Sequence, residues 1–149
     1  LRILDFIFPN DEYKGKVTVL QIMGSWCPNC MDETAFLSPF YDRYKAKGFE
    51  VIGLSFEKTD DFSKAVSLIN RTKSRYKINY RVLAAGNRER ASENMNMLEK
   101  IRGYPTTIFI DKNGMVRKIH TGFNGPATGK YYEKFKDDFT VFIEKLLAE

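Results

Sequence analysis

Cysteine and histidine are scarce in this chain of 149 residues, which has two cysteines, Cys27 and Cys30, and one histidine, His120. A structural zinc site usually needs four ligands, so we predict no metal site. No further cysteines are present to build a framework of structural disulfides. A static bridge between Cys27 and Cys30 would close so short a loop that it would add little stability. Sulfur chemistry is therefore confined to one place in the sequence.

Long apolar runs and dense basic blocks are also absent. No segment approaches the roughly 20 apolar residues that a membrane-spanning helix needs, so we predict contact with a membrane only through an anchor outside this chain. The formal net charge is +5 and the pI about 9.1, which could favour an acidic partner or simply aid solubility. Because Lys and Arg are scattered among Asp and Glu, we predict no binding to nucleic acid.

The length and the first residue bear on domain organisation. A chain of 149 residues suits a single domain with its own core, and we expect one domain over residues 1–149. The sequence starts at Leu1 rather than Met and shows no signal peptide. We interpret it as a mature fragment or as the C-terminal part of a longer, anchored precursor.

Both cysteines lie at a boundary between a strand pattern and a helix pattern. The run Val17–Met23 is β-branched and almost wholly apolar, as in a strand buried on both faces. Cysteines three positions apart on a first helical turn lie about 5–6 Å apart at Cβ, and a small rotation closes this to the roughly 3.5–4.5 Å of a disulfide. The helix start should lower the pKa of the Cys27 thiol, and Pro28 suits the first helical position. We predict Cys27 as the attacking sulfur and Cys30 as the resolving sulfur.

Other interpretations of the cysteine pair are a metal clip, a static disulfide or two chance thiols. The order of strand, CxxC and helix favours redox chemistry over these three.

Strand and helix patterns alternate along the rest of the chain. A helix kinked by Pro39 should follow Cys30 and end near Lys47, before Gly48. In the next helix, Phe62, Ala65, Val66 and Ile69 should face the core. The other predicted elements are strand Leu1–Phe8, strand Phe49–Phe56, helix 59–76, strand Ile78–Ala84 broken by Gly86-Asn87, helix Arg88–Ile101, strand Thr106–Ile110, turn Asp111–Gly114, strand Met115–Ile119 and helix Lys130–Leu147. This alternation predicts an α/β fold with helices on both faces of a central mixed sheet.

Two motifs give the chain a family resemblance. Trp26-Cys27-Pro28-Asn29-Cys30 follows a buried strand, and Gly103-Tyr104-Pro105-Thr106-Thr107 precedes a late strand and hairpin. Together they resemble the thioredoxin superfamily over nearly the whole chain. The extra strand and helix between Thr59 and Ala84, and Glu33 beyond Cys30, are similar to the TlpA/ResA branch. Those proteins are extracytoplasmic thiol–disulfide oxidoreductases, often membrane-tethered and often reductive.

The resemblance implies a role for several residues. Cys27 would be the exposed nucleophile and Cys30 the buried partner. Pro105 would be the family's cis-proline, which leaves the backbone of Tyr104 free to pair with an extended substrate. The side chains of Trp26, Pro28 and Tyr104 would line the docking surface, although Trp26 could be an ordinary buried indole and Tyr104 could simply fill space.

Glu33 matches the acidic residue that moves protons at the resolving sulfur in this branch. A partly buried carboxylate can accept the proton that Cys30 must lose before it attacks a mixed disulfide; the alternative is that Glu33 only complements the helix start. Gln21 stands where thioredoxins keep a buried aspartate, and it cannot titrate. Glu57 is a weaker candidate, expected at the surface or as a cap, and His120 should be structural or at the surface.

The resulting hypothesis is reduction of disulfides in protein partners, with an upstream thiol reductase and no metal or organic cofactor. Because Pro28 comes first between the cysteines, as in oxidising DsbA-like proteins, an oxidase or isomerase is one alternative. A peroxiredoxin-like peroxidase is disfavoured, because Gly24 rather than Thr lies three residues before Cys27. A non-catalytic binding module with a vestigial CxxC is the third alternative.

Two further expectations come from the resemblance. The protein should be extracytoplasmic, in the periplasm or cell envelope of a bacterium, with the cytoplasm as the alternative. The segment 87–102 is longer than the family pattern suggests, and we expect it to be a specificity element near Pro105.

Overall fold

The structure, a computed structural model, describes residues 11–91 and 101–149. Its strands form one five-stranded sheet in the order β3-β2-β1-β4-β5. Strands β1, β2 and β3 are parallel, whereas β4 is antiparallel to β1 and β5 is antiparallel to β4. The predicted mixed α/β sheet is confirmed. The elements are β1 (Val17–Met23), α1 (Pro28–Tyr44), β2 (Phe49–Glu57), α2 (Phe62–Tyr76), β3 (Arg81–Asn87), β4 (Thr106–Ile110), β5 (Val116–Thr121) and α3 (Lys130–Ala148).

One face of the sheet is covered by helices. Alternate residues of β1 and β2 share a buried cluster with α1 and α3, because side chains in a strand point to opposite faces in turn. Helix α2 contacts β3 and α1, and its Ile69 lies beside Met23 and Val82 on the same face. Members of the cluster include Val17, Val19, Phe36, Leu37, Phe40, Phe49, Val51, Phe109, Phe139, Ile143 and Leu146.

The opposite face carries a second apolar cluster. It is built from the other alternate residues of β1, β2 and β4, and Tyr13, Ala91, Ile101 and Tyr104 pack there as well. The helix predicted at Arg88–Ile101 falls mostly outside the described residues, as does the strand predicted at Leu1–Phe8; residues Arg88–Arg90 form a 3₁₀ turn. No helix within the described ranges is long and apolar enough to cross a membrane.

Local signals located most element ends correctly. Helix α1 contains Pro39 and ends at Tyr44, and a 3₁₀ turn continues to Lys47. Gly48 then adopts a left-handed conformation with φ of 90°, which glycine allows without steric cost. At the start of α2 the Asp61 side chain accepts a hydrogen bond from the Lys64 amide at 3.1 Å, as an N-cap residue does.

Two local predictions were wrong. The third strand spans Arg81–Asn87 rather than Ile78–Ala84, and Gly86 continues it past a shift in register opposite Ser55 and Phe56. Phe62 does not face the core, because its side chain is 70% exposed. The buried stripe of α2 starts one turn later, at Ala65.

The corner between β1 and α1 is held against the end of β2. The indole Nε1 of Trp26 donates a hydrogen bond to the Phe56 carbonyl at 2.8 Å. A Cβ added to Gly24 would overlap that indole and lie 2.9 Å from the same carbonyl oxygen. Gly24 is therefore required by close approach, and a larger residue would displace Trp26 from beside Cys27.

We expect Gly24→Ala to lower the free energy of unfolding by about 1–3 kcal/mol, the usual cost of overfilling a packed site. Urea unfolding followed by circular dichroism measures the change. In a Trp26→Phe background the same substitution should cost less, because the indole atoms that it overlaps are gone. A double-mutant cycle with no coupling between positions 24 and 26 would contradict this explanation.

Candidate active site

The two sulfurs lie at the first turn of α1. Cys27 is the N-cap residue, Pro28 takes the first helical position, and the Cys30 amide donates a hydrogen bond to Cys27 Sγ at 3.2 Å. The side chains of Cys27 and Cys30 are joined as a disulfide, with their Cα atoms 5.2 Å apart. That separation lies within the usual range for disulfides of about 4.4–6.8 Å. The spacing therefore allows the pair to close, as the sequence predicted.

The two cysteines differ in exposure, though less than expected. Cys30 is completely buried and Cys27 is only 5% exposed, so the prediction of an openly exposed Cys27 was wrong. Met23 and Met31 share a buried cluster with the two cysteines, and Trp26 and Tyr104 pack against it. Cys27 nevertheless lines a surface cavity, whereas Cys30 does not.

This cavity, which we call the Cys27 cavity, has a volume of about 620 Å³. The rings of Trp26 and Tyr104 form an edge-to-face pair with centroids 4.9 Å apart. The Tyr104–Pro105 peptide bond is cis, and Pro105 is buried. The structure thus brings four of the predicted site residues together around one opening, namely Trp26, Cys27, Pro28 and Tyr104. The lining consists of Trp26, Cys27, Pro28, Asn29, Arg88, Ile101, Arg102, Gly103 and Tyr104.

Positive charge surrounds the indole at the edge of this cavity. The Arg88 guanidinium carbon lies 4.0 Å from the Trp26 ring centroid, and Lys58 Nζ lies 5.2 Å from it. Both distances suit cation–π attraction. The pKa of the Tyr104 hydroxyl lies above its ordinary value, because burial raises it more than the charge of Arg88 lowers it. The charge of Glu89 adds to the rise.

Glu33 lies one turn beyond Cys30 and is 1% exposed. Thr107 Oγ1 donates a hydrogen bond to Glu33 Oε2 at 2.8 Å, whereas Oε1 is buried and has no hydrogen-bond partner among the described residues. Burial raises the pKa of Glu33 to about 7, and the side chains of Thr107 and Gln21 limit the rise. The carboxyl group can therefore gain or lose a proton near neutral pH.

Gln21, a buried residue of β1, lies near this carboxyl group. It faces Thr107 across the β1–β4 pairing, and its Nε2 lies 3.4 Å from the Cys30 carbonyl oxygen. The buried Tyr80 hydroxyl donates to Gln21 Oε1 at 2.8 Å. Burial, with the nearby Glu33 carboxylate, raises the pKa of Tyr80 well above its ordinary value, so Tyr80 remains a donor at neutral pH.

Glu57 is not the surface carboxylate that the sequence suggested, because it is 1% exposed. Its Oε1 accepts hydrogen bonds from the Ser25 amide at 3.0 Å and from Ser55 Oγ at 2.8 Å, and its Oε2 accepts one from Ser25 Oγ at 2.7 Å. These bonds satisfy the buried carboxylate. Glu57 therefore holds Ser25, two residues before Cys27, against the end of β2.

His120 lies apart from the Cys27 cavity, on β5. Its ring centroid is 5.9 Å from that of Phe135, and burial, followed by the charge of Lys118, lowers its pKa. Within residues 11–91 and 101–149, no group of three or more His, Cys, Asp or Glu side chains could hold a metal ion.

Several site residues escaped the sequence analysis. Thr107 belongs to the quoted Tyr-Pro-Thr-Thr motif, and its position opposite Gln21 could have been derived by pairing β1 with β4. Arg88 and Arg102 lie near the ends of the segment expected to set specificity, but no local pattern shows that Arg88 lies over Trp26 or that Arg102 lines the cavity.

Comparisons with known proteins agree with this site. The chain is 27% identical over 113 residues to the thiol-disulfide oxidoreductase ResA of Halalkalibacterium halodurans, covering 74% of this chain and 57% of that protein. It is 30% identical over 114 residues to the thiol:disulfide interchange protein DsbE of Escherichia coli K12, covering 76% and 54%. The chain thus spans little more than half the length of these two relatives.

The fold has solved counterparts as well. A thiol:disulfide interchange protein of the thioredoxin family from Chlorobium tepidum matches with a TM-score of 0.69 at 21% identity, over 91% of this chain and 82% of that one. The likeness shows a thioredoxin-like fold. The sequence profile described as Redoxin matches residues 8–134, and the chain therefore belongs to the Redoxin family, as a thioredoxin-superfamily protein of the TlpA/ResA-like type.

Proposed function

We propose that this protein is a thiol–disulfide oxidoreductase that reduces disulfides in protein partners through Cys27 and Cys30. The observation that carries the proposal is the difference between the two sulfurs. Cys27 lies at a helix start and lines the Cys27 cavity, whereas Cys30 is completely buried beside it. An attacking thiolate needs access and stabilisation by free amide groups, whereas a resolving thiol needs proximity to the first sulfur and a group that accepts its proton.

The proposed reaction starts from the reduced dithiol. The Cys27 thiolate attacks one sulfur of the partner's disulfide, that bond breaks, and the partner's second sulfur leaves as a thiolate. Cys30 then loses its proton and attacks Cys27 Sγ, which releases the partner's first sulfur. The partner gains two electrons and two protons, and the Cys27–Cys30 disulfide remains. An upstream thiol reductase would restore the dithiol.

Glu33 is the proposed acceptor for the Cys30 proton. Side chains three positions apart on a helix lie on the same face, about 5–6 Å apart at Cβ. With a pKa of about 7, the Glu33 carboxyl group is close to the value that makes a general base effective at neutral pH. Its unpartnered Oε1 leaves one oxygen available to take that proton.

The direction of electron flow and the location are parts of the same proposal. The family likeness supports reduction outside the cytoplasm, in the periplasm or cell envelope. A reduction potential of about −270 mV would fit a reductase, whereas one of about −120 mV would fit the oxidase alternative.

The crowded Gly24 position has no room for the threonine that the peroxidase alternative requires.

Trapping tests the role of the two cysteines. With a peptide that contains one disulfide, Cys30→Ser should accumulate a one-to-one mixed disulfide through Cys27, because the resolving sulfur is missing. Mass spectrometry of the intact, acid-quenched adduct measures it, and dithiothreitol should release the peptide. Cys27→Ser, which keeps the deeper sulfur only, is the matched control and should form no adduct. Absence of the adduct with Cys30→Ser, when circular dichroism shows a folded protein, would contradict the proposal.

The role of Glu33 has a kinetic signature. We expect Glu33→Gln to slow the resolution step by about 10²-fold or more at neutral pH, since an amide cannot accept the proton. The wild-type rate should rise with pH through about 7, as the carboxyl group loses its proton, and Glu33→Gln should lack that rise. Quenched-flow measurement of mixed-disulfide decay separates this step from the first attack. Equal pH profiles for both proteins would assign Glu33 a structural role only.

The raised pKa of Glu33 also predicts a dependence of stability on pH. The folded protein holds this proton more tightly than the unfolded chain, so its stabilising effect is complete below about pH 4.5 and is lost as pH rises through about 7. Relative to Glu33→Gln, the wild type should lose about 2 kcal/mol of unfolding free energy between about pH 5 and 8.

Urea unfolding of the oxidised proteins measures this difference. Glu133→Gln is the matched control, because that carboxylate is 68% exposed and pairs with Lys136 at 3.0 Å. A Glu33→Gln curve that runs parallel to the wild-type curve over this pH range would contradict the raised pKa.

A further inference from the structure

The Cys27 cavity has a rim of cations that pair with no carboxylate in the described part of the chain. Arg88 and Arg102 line the cavity, and Lys58 lies beyond it, against Trp26. None of these three cations forms an ion pair with a carboxylate in residues 11–91 and 101–149. Building on the proposed function, we infer that this rim selects disulfides carried by extended polypeptide segments with acidic residues next to the reactive cysteine.

Most of the described carboxylates near this opening already have hydrogen-bond or ion-pair partners. Glu57 is buried and accepts hydrogen bonds from Ser25 and Ser55. Asp60 pairs with Arg90 and accepts a hydrogen bond from Asn87. Glu89 is exposed, and its negative charge raises the pKa of the Tyr104 hydroxyl, which the charge of Arg88 lowers. Within residues 11–91 and 101–149, the three cations therefore outweigh the single exposed carboxylate of Glu89, and the summed charge of these groups is positive.

The two arginines differ in how firmly they are placed. Arg88 is partly buried and held over the Trp26 ring, so its guanidinium is fixed close to the entrance to Cys27. Arg102 is exposed and directly precedes Gly103 and Tyr104, whose backbone is the proposed strand for pairing with a substrate. A planar guanidinium binds a carboxylate through two parallel hydrogen bonds. Each arginine can thus bind one acidic side chain flanking a bound cysteine.

The cavity's shape favours an extended segment over a folded surface. Cys27 is only 5% exposed, so an attacking geometry requires the partner's disulfide to enter the opening. A volume of about 620 Å³ is in the range of sites for short ligands, roughly 300–1,000 Å³. Trp26, Tyr104 and Ile101 provide apolar walls, which suit the disulfide itself. The preferred segment therefore has a disulfide cysteine between two flanking carboxylates.

A set of matched peptides tests this preference. Three peptides share one intramolecular disulfide and differ only at the two positions flanking the first cysteine, which are Glu, Gln or Lys. The dithiol form of the protein, prepared with dithiothreitol and then desalted, reduces each peptide in a single turnover. We expect the Glu peptide to react about three- to tenfold faster than the Gln peptide, the factor that two partly exposed ion pairs supply. The Lys peptide should be the slowest, and high salt should reduce the differences.

Variants locate the source of the preference. In Arg88→Gln/Arg102→Gln the ratio of Glu-peptide to Gln-peptide rates should fall to about one. Arg71→Gln/Lys145→Gln removes the same charge from two exposed positions that do not line the cavity and should keep the wild-type ratio. Arg102→Glu, at an exposed position where folding is not at risk, should favour the Lys peptide.

The outcomes separate this inference from the proposed function. Equal rates for all three peptides, or a preference that survives in Arg88→Gln/Arg102→Gln, would overturn the acidic preference while leaving disulfide reduction intact. A faster reaction with glutathione disulfide, a small anionic disulfide, than with the Glu peptide would overturn the choice of a polypeptide. Reduction of no disulfide at all would instead refute the proposed function.

Discussion

The first turn of α1 is closed by a sulfur atom. Most helices begin with a side-chain oxygen that accepts a free amide hydrogen, whereas here Cys27 Sγ accepts from the Cys30 amide at 3.2 Å. The sulfur proposed to react is thus also the cap of the helix, and the neighbouring structure preserves that arrangement. Trp26 is bound to the Phe56 carbonyl and Ser25 to the Glu57 carboxylate, so the end of β2 holds the residues that precede Cys27.

Two buried carboxylates on either side of this turn illustrate opposite uses of the same group. Glu57 accepts three hydrogen bonds and serves as an anchor for the β1–α1 corner. Glu33 accepts one, from Thr107, keeps one oxygen unpartnered, and has a pKa of about 7. An anchored carboxylate fixes geometry, while an under-bonded one responds to protons. The place of each group in the fold, Glu33 on α1 and Glu57 at the end of β2, decides which property it acquires.

The sequence predicted those features whose causes are local. The apolar run Val17–Met23 predicts a buried strand, Pro28 and Asp61 predict helix starts, and Gly48 predicts the end of a helix. Each of these signals acts within a few residues. The errors lie where distant partners decide. One hydrogen-bond partner of Glu57, Ser25, is 32 residues away, and the strand around Gly86 is extended by its pairing with Phe56.

The candidate site shows the same division. The CxxC spacing and the Pro28 position could be read from the sequence, because a single helical turn brings those residues together. The low exposure of Cys27 could not, since it depends on Met31, Trp26 and Tyr104 closing around the sulfur. The role of Arg88 could not be predicted either, because nothing in the neighbouring sequence shows that it lies over an indole 62 positions earlier in the chain.

Trp26 is the only tryptophan in the chain, and this has a practical consequence. Its ring meets Tyr104 edge to face, carries Arg88 above it, and adjoins the sulfur that lines the cavity. When tryptophan is excited selectively over the eight tyrosines, emission from this single indole reports on the cavity. Opening of the disulfide, or arrival of a bound segment, can therefore be followed optically in real time without any attached label.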